Sequence, residues 1–243
     1  MEYIYKHFET IDSTNNFGKL NCHLFDQDKI TLITAKTQTA GRGRFKREWV
    51  SPPLENIYAT FCFAVKKGRK DIGNIPQLLG LSAAKTLKQL HLSPNLKWPN
   101  DILLSEKKIA GILCETVSFD DHFMVILGIG LNVNMPLEVL QAIDRPATSL
   151  KIETGKTFNV DKVLKLLKEH FANDLELFLK NGFNSFLPEY KKLIWTNSKN
   201  ILRFHDTVNI VEGTFHSIND DGTLNLKLID GSIKTFISGE FIS

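Results

Sequence analysis

The sequence predicts an α+β fold: a mixed sheet with flanking helices over residues 1–196, then a small β-barrel domain over residues 197–243. Three observations carry that expectation. Short apolar runs rich in β-branched and aromatic residues are mixed with two long patterns of helical period, in no regular βαβ order. After Thr196 the texture changes to short alternating stretches cut by turn residues at intervals of about 8–12 positions, as in small antiparallel barrels. At 243 residues the chain has the size of one large domain plus a small one.

Residues 1–12 alternate apolar and polar side chains around Tyr3, Tyr5, Phe8 and Ile11, a strand pattern. Asp12-Ser13-Thr14-Asn15 offers N-caps to a short helix ending near Leu20. Ile30–Ala35 reads as a buried strand and Ile57–Val65 as a second one. Pro76–Leu90 is helical, because Leu79, Ala83, Leu87 and Leu90 share a face and proline is tolerated in a first turn. Further strands are expected near Leu96–Trp98, Lys108–Thr116 and Phe123–Val133, the last two joined by a turn over Ser118–His122. Pro99 ends the first of them and leaves Asn100 and Asp101 in a turn. Asn159 caps a long helix reaching Lys180, with Val163, Leu167, Phe171, Leu175 and Phe178 at core spacing. A second helical stretch, Phe183–Trp195, is expected to stop or kink at Pro188. Glu212-Gly213, Asp220-Asp221-Gly222, Asp230-Gly231 and Ser238-Gly239 then mark the turns of the barrel.

With 42% apolar and 23% charged residues, the composition excludes disordered and fibrous classes. The longest apolar run, Phe123–Leu131, is far short of the roughly 20 residues of a membrane span. The opening Met-Glu-Tyr-Ile-Tyr-Lys-His is no export signal. Cys22, Cys62 and Cys114 are too few and too scattered for a disulfide framework or a metal knuckle, so a reducing cytoplasm is expected and no metal site. The formal net charge is +3, yet Lys36, Arg42, Arg44, Lys46 and Arg47 place five cations and no acid within residues 36–47. Positive charge confined to one glycine-containing loop suits a small anionic ligand better than a polyanion, which needs a basic face.

Three stretches carry the chemistry. In the segment from Thr37 to Trp49, Gly41 and Gly43 alternate with Arg42 and Arg44, so backbone N–H groups and guanidinium forks can surround an anion. It is neither a P-loop nor a dinucleotide fingerprint, and a solvated basic turn explains it equally well on its own. Lys97-Trp98-Pro99-Asn100-Asp101 is followed by Lys108, which opens the apolar run Ile109-Ala110-Gly111-Ile112-Leu113. A lysine so placed either snorkels to solvent or points into a pocket, with Gly111 leaving room there. Gly128 and Gly130, two apart on one strand, strip one face of side chains, which invites another backbone or a flat ligand.

Taken together and in this order, Ser13-Thr14-Asn15, Gln38, Gly41-Arg42-Gly43-Arg44 with Arg47 and Trp49, Lys97-Trp98-Pro99-Asn100-Asp101, Lys108 to Leu113 and Gly130-Leu131-Asn132 strongly resemble the biotin–protein ligases over about residues 8–150. The resemblance implies the catalytic fold shared with class II aminoacyl-tRNA synthetases, followed by an SH3-like barrel. It implies activation of biotin by ATP, with Mg²⁺, to biotinyl-5′-adenylate. Transfer to a lysine of a biotin carboxyl carrier domain of a carboxylase, such as acetyl-CoA carboxylase, would follow. By that similarity Ser13, Thr14, Asn15 and Gln38 hold the ureido ring, and the backbone of Gly41, Arg42 and Gly43 closes over it. Gly111, Gly128 and Gly130 form flat pocket walls. Arg42, Arg44, Arg47, Trp49, Lys97, Asn100 and Asn132 face the nucleotide. Lys108 stands between carboxylate and α-phosphate, and Asp101 orients or deprotonates the acceptor amine. Such a reaction needs charge neutralisation and alignment rather than a side-chain nucleophile.

The like charges of residues 36–47 further predict a loop that is costly to order when empty and folds over its ligand. The pattern starts almost at residue 1, which points to the type without an N-terminal DNA-binding module and to no DNA partner. No tryptophan lies between Met135 and Thr157 to stack on the adenine, as in some family members. A lipoate ligase or octanoyltransferase is the nearest rival, although these lack the arginine–glycine loop. A nucleic-acid-binding module is disfavoured by a net acidic barrel, and a biotin-binding protein without catalysis by Lys108 and the arginines. Exposed strand edges leave room for a homodimer, but no residue compels it.

Overall fold

The computed structural model describes residues 1–53, 56–196, 201–206 and 209–242. Its centre is a seven-stranded mixed sheet of β1 (Tyr3–Ile11), β2 (Ile30–Gln38), β3 (Ile57–Lys66), β4 (Asn95–Lys97), β5 (Asp101–Leu104), β6 (Lys107–Ser118) and β7 (His122–Leu131). The strand order is β1-β2-β3-β7-β6-β5-β4, with β1 and β2 parallel and each further pair antiparallel. The helices are α1 (Thr14–Asn21), α2 (Ile75–Gln89), α3 (Leu137–Gln141), α4 (Leu150–Thr154), α5 (Val160–Asn181) and α6 (Leu187–Leu193). A second sheet, antiparallel and five-stranded, holds β8 (Leu202–His205), β9 (Ile210–Ile218), β10 (Leu224–Leu228), β11 (Ile233–Phe236) and β12 (Glu240–Ile242) in the order β11-β10-β9-β8-β12. The expected boundary at 196/197 falls at residues 197–200, which lie outside the described residues.

The strand period of two sorts β3 into two faces. Ile57, Ala59, Phe61, Phe63 and Val65 join the main core under α2 and α5, where Phe61 lies 4.7 Å from the ring of Phe171. Cys62 faces the other way, into a smaller cluster with Ile33, Met124, Ile126 and Cys22 at the end of α1. Because α1 has only eight residues, it covers part of that second face and leaves the rest to other occupants. The main core continues through Trp98 to Phe204, Leu224, Leu226 and Phe236, so the second sheet shares it.

Ser13 caps α1 and Asn159 caps α5, as expected. Three expectations need correction. Asn100 lies in a turn, but Asp101 already opens β5, a four-residue strand paired through a bulge with β6 and too short for its pattern to register. Pro188 starts α6 instead of ending a helix, since a first-turn position needs no N–H bond. Gly213 is no turn: it lies inside β9, where a Cβ would stand 2.6 Å from the Lys227 carbonyl of the adjacent strand. The short helices α3 and α4 were not foreseen. All three cysteines are free thiols. Among the described residues, no helix is long and apolar enough to cross a membrane.

Candidate active site

Register places Gly111 directly opposite Gly130, and Gly128 opposite Thr60 on the neighbouring strand, so three glycines make a bare patch in the middle of the sheet. The patch is covered closely. A Cβ on Gly130 would overlap the indole of Trp49, and one on Gly128 would overlap the amide of Asn15. One on Gly111 would come within 2.9 Å of side-chain atoms of both Trp49 and Lys108. The indole N–H of Trp49 is buried without a hydrogen-bond partner among the described residues. A buried donor left open is costly, so it marks a place where an acceptor is wanted.

Beside the patch is a polar cradle. Gln38 Oε1 accepts from Thr14 N at 2.9 Å and from Thr14 Oγ1 at 3.1 Å. Thr60 Oγ1 lies 2.8 Å from Thr14 Oγ1 and 2.7 Å from Asn15 Oδ1, while Asn15 Nδ2 donates to the Leu113 carbonyl. Ser13 Oγ accepts from Asn16 N at 3.4 Å, capping α1, which leaves its own proton and a second lone pair for another partner. The loop that follows β2 folds back through paired bonds, Trp49 N to Gly41 O and Gly43 N to Arg47 O. At its tip Phe45 and Lys46 both adopt left-handed backbone, with φ of 54° and 59°, a strained arrangement for residues with side chains.

The cations lie at the mouth. Lys108 Nζ stands 2.7 Å from Asp101 Oδ1 and 5.3 Å from the Trp49 ring centre. Arg44 donates to Asn100 Oδ1, to the Gly239 carbonyl and to Ser238 Oγ. Arg47 forms a two-pronged pair with Glu240. Arg42 binds Asn16 and Glu115, which Lys19 also approaches at 3.0 Å. Thus the loop's expected self-repulsion is offset by Glu115 and Glu240, carboxylates brought in from other elements. Lys97 packs over Trp195 and Phe241 at 5.2 and 5.8 Å. Asn132 is buried, its amide donating to the carbonyl of Thr148, whose N–H in turn donates to the Lys108 carbonyl.

Burial lowers the pKa of Lys97, partly opposed by Asp101 and Glu240, with Lys108 and Arg145 adding to the fall. Burial likewise lowers Arg44 against the pull of Asp101 and Glu240. Both shifts reflect partial desolvation of the cations, only partly offset by the neighbouring carboxylates. For Glu115 desolvation acts upward, but the hydrogen bond from Lys19 and the charges of Arg42 and Lys19 outweigh it and hold the pKa low. An open cavity of about 410 Å³ adjoins the site on the seam between the sheets, with Arg44 and Asn100 shared between its wall and the mouth.

Sequence reasoning missed Thr60, Glu115, Glu240 and the aromatic pair around Lys97. Thr60 had a signal, a polar residue inside the apolar run Ile57–Val65. Glu240 had none, because its partner Arg47 is 193 positions away.

The model of the biotin/lipoate A/B protein ligase family matches residues 7–132, just over half of the chain. The bifunctional ligase/repressor BirA of Salmonella typhimurium is 31% identical over 235 residues, covering 95% of this chain and 71% of that protein. The biotin–[acetyl-CoA-carboxylase] ligase of Paracoccus denitrificans is 29% identical over 206 residues, 80% of this chain and 83% of its own length. The biotin protein ligase of Aquifex aeolicus, solved with biotin and ATP, superposes with a TM-score of 0.80 at 28% identity, covering 99% of this chain and 97% of that one. A bare three-glycine patch under a tryptophan, a polar cradle and a cationic mouth, set in this fold and matched along this length, make the chain a member of the biotin/lipoate A/B protein ligase family, on its biotin protein ligase side.

Proposed function

We infer that the protein activates biotin with ATP to biotinyl-5′-adenylate and transfers the biotin to a lysine of a carrier domain of a carboxylase. The observation that carries this is the junction of an uncharged cradle and bare patch with Lys108, Arg44 and Lys97 at one end. Biotin presents the same division, an uncharged ring at one end and a carboxylate at the other.

Thr14, Gln38, Asn15 and the Trp49 N–H supply the donors and acceptors a ureido ring requires, and Gly111, Gly128 and Gly130 leave the room in which Asn15, Trp49 and Lys108 can close around it. Lys108 then faces the carboxylate. Bringing that anion to the α-phosphate is opposed by charge, and Lys108 and Arg44 offset the repulsion in a partly dry site where each cation acts strongly. As the carboxylate oxygen attacks phosphorus, pyrophosphate departs with its electron pair toward Arg44, Arg47 and Lys97. Arg47 must exchange Glu240 for phosphate to take part. In the second step Asp101, already 2.7 Å from Lys108, is the carboxylate placed to orient the incoming amine. Asn100 and Arg42 support the loop, and Asn132 acts by bracing the strand beneath it.

The described residues contain no cluster of three metal-ligating side chains. Mg²⁺ fits here as an ion carried by the triphosphate and its waters, with Asp101 as the nearby carboxylate, and would neutralise phosphate charge. We assign residues 1–196 to catalysis and the second sheet to closing the phosphate end. The three free thiols fit a reducing cytoplasm. Exchange of labelled pyrophosphate into ATP tests the reading. Biotin should stimulate it and lipoate should not; equal stimulation by lipoate would move the chain to the other branch of its family.

A further inference from the structure

Ser51, two residues beyond Trp49, has no part in the reaction just described, yet the loop and the cradle meet at it. It is buried. Its carbonyl accepts from Gln38 N at 3.2 Å and from Thr37 Oγ1 at 2.8 Å. Its hydroxyl accepts from Gln38 Nε2 at 2.9 Å and donates to the Trp49 carbonyl at 2.8 Å. Gly41 lets the chain pass this close, since a Cβ there would stand 2.7 Å from Ser51 Oγ.

The chain of bonds has a fixed polarity. At one end is the backbone N–H of Thr14, which can only donate, so the end of Gln38 facing it must be the carbonyl. The NH₂ end then faces Ser51, which must offer a lone pair. Its single proton therefore goes to the Trp49 carbonyl, which can only accept. The row from Thr14 through Gln38 and Ser51 to Trp49 thus has one self-consistent arrangement, and it leaves the second N–H of Gln38 for a ligand.

We propose that Ser51 is a positioning residue for biotin recognition, holding the Gln38 amide in its working orientation and tying that orientation to the loop that carries Trp49 and the arginines. The inference rests on biotin being the ligand. Without the hydroxyl, the Gln38 amide loses its acceptor, while the bonds to the Ser51 carbonyl, the Trp49–Gly41 pairing and the contacts of Arg44 and Arg47 still hold the loop and its cations in place. Ser51 should therefore govern biotin affinity and leave turnover at saturation nearly unchanged.

The test is a double-mutant cycle of Ser51→Ala and Gln38→Ala, reading biotin Kd by calorimetry and KM and kcat by pyrophosphate exchange. Ser51→Ala should raise Kd and KM for biotin about tenfold, the scale of one good hydrogen bond, with kcat within about twofold. In the Gln38→Ala background the same change should cost less than about twofold. A similar loss in both backgrounds, or none in the parent, would overturn the proposal, because a merely structural serine does not act through Gln38. Should Ser51→Ala fail to fold, Ser51→Cys keeps the size with a weaker acceptor and should show a smaller loss that again disappears without Gln38. A parent chain that binds no biotin would overturn the functional reading and this proposal with it, whereas the cycle's outcomes in a biotin-binding parent bear on Ser51 alone.

Discussion

Alanine at Gly130 would put a methyl group inside the space of the Trp49 indole. The strand cannot yield, because it is hydrogen-bonded on both sides within the sheet. We therefore expect Gly130→Ala to cost about 1–3 kcal/mol of stability and to weaken biotin binding by about tenfold or more. Denaturant titration and calorimetry read both; a substitution that leaves the two unchanged would show that the bare patch is not the pocket floor. At this scale the sequence was informative wherever a residue type is itself unusual. Glycines two apart on an apolar strand and a lysine opening such a strand are legible without coordinates. Partners distant in sequence were not. Arg42 and Arg47 are paired with Glu115 and Glu240, and nothing local to the loop announces either carboxylate.

Among the elements, the loop between β2 and β3 decides how the site works. Its tip is strained, and it is fastened to the second sheet by Arg44 and Arg47. A pair of this exposure contributes little to global stability, under about 1 kcal/mol. It can still govern local opening. Glu240→Gln should thus shift the unfolding midpoint little while trypsin cleaves after Arg44 or Arg47 several-fold faster in the free protein. Unchanged cleavage would mean that the loop is held by something other than this pair. Long, strongly periodic elements such as α2 and α5 were readable because core spacing repeats over several turns. The errors fell on short elements: β5, α3 and α4 are too brief for a period to register. Pro188 and Gly213 each admit two structural meanings, and long-range packing selects between them.

For the whole molecule, the second sheet is attached at two places of different character. On the permanent side, Trp98 Nε1 and Gln77 Nε2 both donate to the Gly222 carbonyl and Asn74 Nδ2 donates to that of Asp221. Gly222 itself has φ of 78°, and a Cβ there would overlap the Asn74 amide. Gly222→Ala should cost about 1–3 kcal/mol while biotin affinity holds within about twofold, because the bare patch lies on the other sheet. A comparable loss of biotin affinity would show that the two sheets are coupled more tightly than their contacts suggest. On the other side stand Arg44 and Arg47, bonded to Ser238, Gly239 and Glu240, contacts that the proposed reaction requires them to give up for phosphate. The texture change near residue 196 pointed to the short strands that form the second sheet; how that sheet grips the first depends on contacts between residues more than a hundred positions apart.

The central claim is electrostatic: cations at the mouth bring two anions together, with Lys108 foremost. Transfer of labelled biotin to the lysine of a biotin carboxyl carrier domain, followed with and without ATP in the parent and in Lys108→Ala, tests it most directly. The parent should label the carrier only with ATP, and the variant should be slower by about a hundredfold or more, the scale expected when a charge-stabilising donor is removed. Labelling that needs no ATP, or that proceeds at the parental rate without Lys108, would contradict it.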